Sequence, residues 1–270
     1  MVGERVLSES DGTIAMRELP CYTPRLLPPK SAVCRHGAVV NASLQVRQAE
    51  ISDIRSAVAL HREVLKVEFL ARCGNRYLRR YYRAWIESPG ALSLVAIDGD
   101  GALCGVLLGA FDPGRHVKAM VKSHGVALGI LLVGYAFTHP RFGKELFLTR
   151  WKRYALGIWR VARGSFTKRR DVIETSRSPA APSVGEITHL LVSESHQGSG
   201  IGRLLVNEAE SIAQLHGVAE MTLVTPPDMA ARQFYEHLGW EFGGTLTSRS
   251  GEEFVKYRHL ITKSPGQQPS

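Results

Sequence analysis

The sequence predicts an α/β fold in which helices flank a mixed sheet. Short apolar runs typical of strands alternate with segments whose apolar residues recur at helical spacing. In addition, the glycine-rich stretch 196–205 joins an apolar run to one of those helical segments. A chain of 270 residues of which 44% are hydrophobic can bury one sizeable core. We therefore expect one folded domain over residues 44–262.

The two ends of the chain are expected to lie outside this domain. Residues 1–43 contain several prolines, mixed charges and no sustained apolar period, which predicts an irregular or disordered leader without a secretory signal. Residues 263–270 have the composition of a disordered tail. The four cysteines show no metal-ligand spacing, which favours reduced thiols in a cytoplasm and no bound metal.

The first half of the domain is predicted to contain three strands and two helices. A strand over Leu44–Ala49 is followed by a helix whose apolar stripe runs from Ile54 to Leu65, and by a second helix over Asn75–Glu87. Strands over Leu92–Ile97 and Ala102–Phe111 are joined across Asp-Gly-Asp-Gly, which is a strong hairpin signal.

The second half repeats the alternation. A strand ends at Val192, and after the glycine-rich turn a helix is expected from Ile201 to Leu215. A strand over Met221–Thr225 precedes a helix that Asp228 is placed to cap and that Gly239 is placed to end. Two further strands complete the predicted sheet.

The turn between the strand and the first of these helices has the composition of an anion site. A helix N-terminus presents unpaired N–H groups and partial positive charge, and Gly198, Gly200 and Gly202 leave room for a pyrophosphate to approach. Arg203 can add a charged donor at the start of the helix. The pattern predicts phosphate binding by this turn.

At this point the sequence resembles the GNAT superfamily of acyl-CoA-dependent N-acyltransferases. The family's Gln/Arg-x-x-Gly-x-Gly/Ala motif matches Gln197-Gly198-Ser199-Gly200-Ile201-Gly202, and its Asn-x-x-Ala-x-x-Phe-Tyr-Glu-x-Leu-Gly-Phe motif matches residues 228–240. The resemblance covers about residues 44–113 and 184–261. It departs at Asp228 and Trp240, where the family usually has Asn and Phe.

The resemblance implies a mostly antiparallel sheet that splays between strands 4 and 5, and acetyl-CoA as co-substrate. Acetyl-CoA would be held by the backbone of Leu190, Leu191 and Val192, by residues of the turn and by the next helix. The residues implied beyond the strand are Gln197, Gly198, Ser199, Gly200, Ile201, Gly202, Arg203 and Asp228. Tyr235 occupies the family's tyrosine position and is the candidate general acid toward the departing thiolate.

Two residues of the fourth strand are candidates for the base that deprotonates the amine. Glu186 matches a strand glutamate common in the family, and His189 has a side chain whose usual titration range suits a base near neutral pH. Because they are three residues apart on an extended strand, they are expected to point to opposite faces of the sheet and to be alternatives.

Residues 114–183 form a basic insertion between strands 3 and 4. Residues 115–170 contain 13 lysines and arginines and one acidic residue, so this segment accounts for the entire net charge of +9. Phe147, Trp151 and Trp159 fall on one predicted helix side and arginines on the other, which favours an anionic membrane surface as partner of residues 141–170. The twelve apolar residues 126–137 are expected to be too short to span a bilayer.

Two other interpretations of the insertion remain open. Its helices could instead pack on the core with solvated arginines. A nucleic-acid partner is less favoured, because no binding motif accompanies the charge and the apolar face would be unexplained.

The leading functional hypothesis is N-acetylation by acetyl-CoA of a primary amine on a small molecule, an amino sugar or a membrane-associated acceptor. Protein or peptide acetylation is one alternative, and a non-catalytic acyl-CoA-binding or membrane-tethered module is another. The expected location is cytoplasmic, peripheral on the inner face of the membrane.

Overall fold

The computed structural model describes residues 44–66, 68–146, 183–227, 229–247 and 251–261. Within these ranges seven strands form one mixed sheet in the order β1-β2-β3-β4-β5-β7-β6. The strands are β1 Gln45–Gln48, β2 Ala91–Ile97, β3 Leu103–Ala110, β4 Ser183–Val192, β5 Val218–Thr225, β6 Glu241–Thr247 and β7 Glu253–Leu260. The strands predicted from the sequence are thus confirmed, with ends that differ by a few residues.

Seven α-helices accompany the sheet in the described part of the chain. They are α1 Ile54–Val64, α2 Phe69–Arg72, α3 Asn75–Glu87, α4 Pro113–Thr138, α5 Pro140–Glu145, α6 Ile201–Leu215 and α7 Met229–His237. The bounds of α3 are those predicted from its apolar period. Gly239, after α7, has a φ of +81°, in agreement with its predicted role of ending that helix.

The sheet opens between its two central strands. Every strand pair in the described ranges is antiparallel except β4 with β5, which is parallel. The β4–β5 pairing runs only from Ser183 with Val218 to Ile187 with Leu223, although β4 continues to Val192. The last residues of β4 therefore border a gap on their β5 side, which confirms the predicted splay.

Each face of the sheet is covered by its own apolar core. On one face, here called the α6 face, α6 packs through Leu205 and Val206 against Met221 and Tyr257 of the strands. On the other, the α3 face, the core includes α1 and α3, with Leu78 and Tyr82 among its members.

A β-bulge changes the predicted direction of two side chains. Leu108 pairs with His189 and Gly109 with Ile187, so Thr188 is the extra residue of β4. Ile187 packs in the α6-face core, so Glu186 points to the α3 face, and the His189 ring lies on that same face beside Tyr81. The prediction that Glu186 and His189 point to opposite faces is wrong, because the bulge interrupts the two-residue alternation.

The insertion between β3 and β4 begins with α4, whose first turn is capped by the Asp112 carboxylate. α4 packs along α3 and is followed by α5. It has 26 residues, more than the apolar run suggested, and by length and composition alone it could cross a membrane. The predicted amphipathic face with Phe147, Trp151 and Trp159 lies outside the described residues.

Candidate active site

The glycine-rich turn leads from β4 into the N-terminus of α6. Gly200 is the N-cap of the helix, with a φ of +87°, and Gly198 has a φ of +78°. These backbone angles favour glycine, because a side chain at positive φ clashes with the backbone. No side chain of the described residues caps α6, so its first N–H groups are available to an anion.

The three glycines of the motif have different structural roles. A Cβ at Gly198 or Gly200 would meet no atom of the described residues within 4 Å, which leaves space among them in front of the helix end. A Cβ at Gly202 would lie 3.2 Å from the Phe234 ring, so this glycine lets α7 pack closely on α6. The first two positions fit a phosphate cradle, and the third has a packing role that its place in the motif does not reveal.

The other residues predicted to hold the cofactor surround this turn. Gln197, Ser199 and Arg203 are exposed, whereas Ile201 is buried in the α6-face core. The Ser199 hydroxyl donates to the His196 carbonyl, which tightens the turn. Asp228 lies outside the described residues.

The end of β4 presents backbone donors to the gap in the sheet. The Ser193 N–H donates to the Cys104 carbonyl of β3. Because N–H groups alternate in direction along a strand, Leu191 also points toward β3, whereas Leu190 and Val192 point into the gap. Two of the three predicted backbone positions can therefore polarise a carbonyl placed there.

A partly buried cluster of ionisable side chains lies on the α3 face beside the gap. Glu68, just before α2, lies between two histidines: one carboxylate oxygen is 3.2 Å from His61 Nε2 and the other is 3.6 Å from His189 Nε2. His61 Nδ1 is 3.0 Å from the Tyr82 hydroxyl, and the two imidazole rings are 5.4 Å apart. His61 and His189 are both buried, whereas the Glu68 side chain is 36% exposed.

The cluster strongly favours an ionised carboxylate at Glu68. Burial opposes ionisation, but the imidazoles of His189 and His61 outweigh it and lower the pKa of Glu68 to about 2. Burial also raises the pKa of the nearby Tyr81 and Tyr82 hydroxyls, which stay neutral. A carboxylate that contacts an imidazole orients the ring and stabilises its protonated form.

Sequence analysis identified only one member of this cluster as a site residue. In the sequence, His61 lies within the apolar stripe that runs from Ile54 to Leu65, and Glu68 lies between two predicted helices. The position of His61 on the buried side of α1 was the available signal, because a buried histidine needs a polar partner. The identity of that partner depends on the tertiary fold.

The other two predicted catalytic residues lie apart from the cluster. Burial raises the pKa of the Glu186 carboxyl, and Lys256 partly offsets this effect. Tyr235 is 7% exposed and lies in the α6-face core, with its ring 5.8 Å from those of Trp240 and Tyr257. The structure therefore brings Glu186 and His189 to one face of the sheet and Tyr235 to the other.

The same cluster has the donor types of a metal site. One ligand atom from each of His61, Glu68 and His189 lies within 4.8 Å of the other two. Two imidazoles and one carboxylate are a set that zinc can use. The expectation of no bound metal rested on the spacing of the cysteines, which says nothing about histidines and a glutamate. Treatment with a chelator distinguishes a proton-transfer role of the cluster from a metal-binding role.

Comparisons with known proteins agree with this geometry. The family model described as acetyltransferase (GNAT) family matches residues 61–240. No curated protein matches the sequence. A chimera of the spermidine N-acetyltransferase SpeG from Vibrio cholerae and hSSAT is similar in structure, with 15% identity, a TM-score of 0.50, and coverage of 81% of this chain and 96% of that one.

Two further solved structures are similar over most of their length. A phosphinothricin acetyltransferase from Sinorhizobium meliloti in complex with AcCoA has 14% identity and a TM-score of 0.49, covering 84% of this chain and 94% of that one. The ribosomal-protein-S18-alanine N-acetyltransferase from Escherichia coli has 10% identity and a TM-score of 0.47, covering 84% and 99%. The chain belongs to the GNAT family and is an acetyl-CoA-dependent acetyltransferase.

Proposed function

We propose that the protein transfers the acetyl group of acetyl-CoA to a primary amine, with His189 as the general base. One observation carries the proposal: the glycine turn at the N-terminus of α6 and the Glu68–His189 pair both lie next to the gap at the end of β4. The first fits the phosphates of the co-substrate, and the second fits the proton that the amine must lose.

The reaction needs polarisation of the thioester carbonyl and removal of a proton from nitrogen. The N–H groups of Leu190 and Val192 polarise the carbonyl and stabilise the oxyanion that develops there. As the new C–N bond forms, His189 accepts the amine proton, directly or through a water molecule. When the C–S bond breaks, Tyr235 donates its hydroxyl proton to the thiolate, a role that rests on the resemblance to the family.

His189 is the better candidate base of the two strand residues. The Glu68 carboxylate, 3.6 Å away, stabilises the imidazolium that forms on proton uptake. Glu186 has an opposite-charge neighbour in Lys256, but no comparable group orients it among the described contacts. A carboxylate that loses its charge on accepting a proton also gains nothing from that lysine.

The proposed acceptor is an amine on a small molecule, an amino sugar or a membrane-associated compound. Similar structures include enzymes named for spermidine, for phosphinothricin and for a ribosomal protein, so protein or peptide acetylation is the alternative. Representative acceptors are a polyamine, an amino sugar, phosphatidylethanolamine in mixed micelles and a peptide with a free N-terminus.

The test measures coenzyme A release together with the mass of the acetylated product. We expect one acceptor class to stimulate release, with one acetyl group added per thiol freed. Equal release with and without every amine would indicate hydrolysis and contradict the proposal. Treatment with EDTA should leave turnover unchanged; a loss that zinc restores would instead assign His61, Glu68 and His189 as metal ligands.

A further inference from the structure

Helix α3 carries a basic side that the acetyl-transfer site does not use. Its arginines occur at positions i, i+3, i+4 and i+7, which places them on one side of the helix. They are Arg76, Arg79, Arg80 and Arg83. The opposite side, with Leu78, Tyr82 and Trp85, is buried in the α3-face core. The arginines are therefore held in place by a well-packed helix.

These arginines line a groove between α3, the start of α1 and α4. The groove has a volume of about 570 Å³, and Arg55 of α1 and Leu131 of α4 complete its walls. None of the described residues that line it is acidic. They are Ile51, Ser52, Ile54, Arg55, Arg76, Arg79, Arg80, Arg83 and Leu131. We call this feature the arginine groove.

The positive charge of the groove is largely uncompensated. Arg80 is half-buried, and its Nε is buried with no hydrogen-bond partner among the described residues. Arg83 Nε is 3.8 Å from a Glu87 oxygen, a long ion pair, and no ion pair joins Arg76 or Arg79 to a carboxylate in the described part of the chain. The exposed guanidinium groups of Arg76, Arg79 and Arg83 each present several N–H donors, so the groove is suited to an anion with several acceptor oxygens.

Beside the groove, α4 exposes a continuous apolar stripe. Val126, Ile130, Val133 and Phe137 follow one another at helical spacing and are 78%, 67%, 52% and 84% exposed. Leu132, on a different side of the helix, is buried. At 1.5 Å per residue the stripe is about 17 Å long. It contains no charged residue, and a soluble surface seldom carries such a stripe without a partner.

The groove and the stripe belong to one pair of helices. The His116 ring stacks on Trp85 near one end of α3 at 4.0 Å, and Tyr135 lies against Gly74 at the other end. α4 therefore runs antiparallel along the whole of α3. Leu131, which lines the groove, follows Ile130 of the stripe, and successive residues of a helix are about 100° apart around its axis. The groove and the stripe therefore lie on neighbouring sides of one α3–α4 surface.

We propose that this surface binds the face of a bilayer that contains anionic phospholipids. The arginine groove takes lipid phosphates, and the stripe of α4 lies at the boundary between headgroups and acyl chains. A nucleic acid would supply phosphates but would leave the stripe in water. This inference is independent of the acetyl-transfer mechanism. It relies on described residues alone, and residues 147–170, which supported the membrane hypothesis made from the sequence, are not part of it.

The packing of α4 indicates that it lies on the bilayer without crossing it. The helix is long enough to span, but it packs antiparallel along the whole of the shorter α3. Insertion across the bilayer would carry the α3 arginines into the hydrocarbon, which is strongly unfavourable. Only the outward stripe can enter the membrane while the arginines remain at the headgroups.

The test is co-sedimentation of the full chain with vesicles of phosphatidylcholine alone or of equal parts phosphatidylcholine and phosphatidylglycerol. Arg79→Gln with Arg83→Gln removes two exposed charges of the groove, and Ile130→Ser with Phe137→Ser removes two apolar residues of the stripe. The matched controls are Arg232→Gln with Arg258→Gln, two arginines paired elsewhere, and Leu215→Ser at the end of α6, where the side chain is 82% exposed.

We expect the wild type to bind the anionic vesicles at least about tenfold more tightly than the neutral ones, and added salt to reduce the difference. The groove variant should lose this preference, and the stripe variant should bind both vesicles at least about tenfold more weakly. Absence of wild-type binding, or equal binding by the variants and their controls, would overturn the proposal. The proposal would also be overturned if an RNA duplex displaced the vesicles and bound the stripe variant as tightly as the wild type.

Discussion

The two faces of the sheet are built in different ways. The α6 face is apolar at its centre, with Leu205, Met221 and Tyr257 fully buried, and its functional groups are backbone N–H groups at a helix end. The α3 face instead buries His61 and His189 around Glu68 and carries the arginine groove beyond them. In the proposed mechanism, backbone geometry on the α6 face recognises the co-substrate and side chains on the α3 face transfer the proton.

This difference explains why only one of the two candidate sites could be recognised from a linear motif. Backbone recognition needs glycines at fixed spacing, and such spacing is visible in a linear motif. The side chains of the α3 face come from residues far apart in the chain, so their pattern has no fixed spacing. Substitutions on the two faces should therefore separate co-substrate binding from turnover.

Replacement of the proposed base should have the largest effect. His189→Gln preserves size and polarity but cannot accept the amine proton, so we expect kcat to fall about 100-fold. The dissociation constant of acetyl-CoA should be unchanged. His216→Gln, a histidine that stacks on Phe111 away from the gap, is the matched control. Full activity of the His189 variant in steady-state kinetics would show that His189 is not the base.

On the α6 face, Gly200→Ala should weaken acetyl-CoA binding at least about tenfold. The substitution forces a side chain to adopt a φ of +87° and puts a methyl group before the helix end. Gly217→Ala is the matched control, because Gly217 has a φ of +69° at the opposite end of the same helix. Equal loss of affinity in both variants, measured by acetyl-CoA titration, would point to backbone strain alone.

Tyr235→Phe should lower kcat about fivefold to tenfold and leave acetyl-CoA affinity within about twofold, since a missing general acid acts on the transition state. Tyr257→Phe is a suitable control, because Tyr257 packs against the same ring and its hydroxyl donates to Glu236. A similar decrease in both variants would return Tyr235 to a packing role.

The smallest effect expected is on stability in acid. Because the folded-state pKa of Glu68 is lowered from 4.5 to about 2, its ionised form stabilises the fold above pH 4.5, and this contribution is lost as the pH falls toward 2. The melting temperature of the wild type should therefore fall more steeply over this interval than that of Glu68→Gln, by a few degrees. Parallel curves for the two proteins would show that the histidines do not stabilise the ionised carboxylate of Glu68.

Much of the fold could be predicted from the sequence, because local patterns determine it. The apolar period of α3 gave its bounds, and the Asp-Gly-Asp-Gly turn gave the β2–β3 hairpin. The bulge at Thr188 could not be predicted, since it is a feature of the pairing of β4 with β3 and has no local sequence signal. Without that bulge Glu186 and His189 would lie on opposite faces.

The candidate sites also differ in how far they could be predicted from the sequence. The glycine turn was visible in the sequence, and the Glu68 cluster was not, because α1, the loop before α2 and β4 meet only in the folded chain. The basic side of α3 could have been found from arginines at i, i+3, i+4 and i+7. Its proximity to an exposed apolar stripe required the packing of α4 against α3.

The most direct test of this division is calorimetric titration of acetyl-CoA into the wild type, Gly200→Ala and His189→Gln. We predict micromolar binding by the wild type and by His189→Gln, and at least about tenfold weaker binding by Gly200→Ala. No binding by a folded wild type would contradict the assignment of the α6 face to the co-substrate. Equal losses in the two variants would contradict the separation of binding from proton transfer.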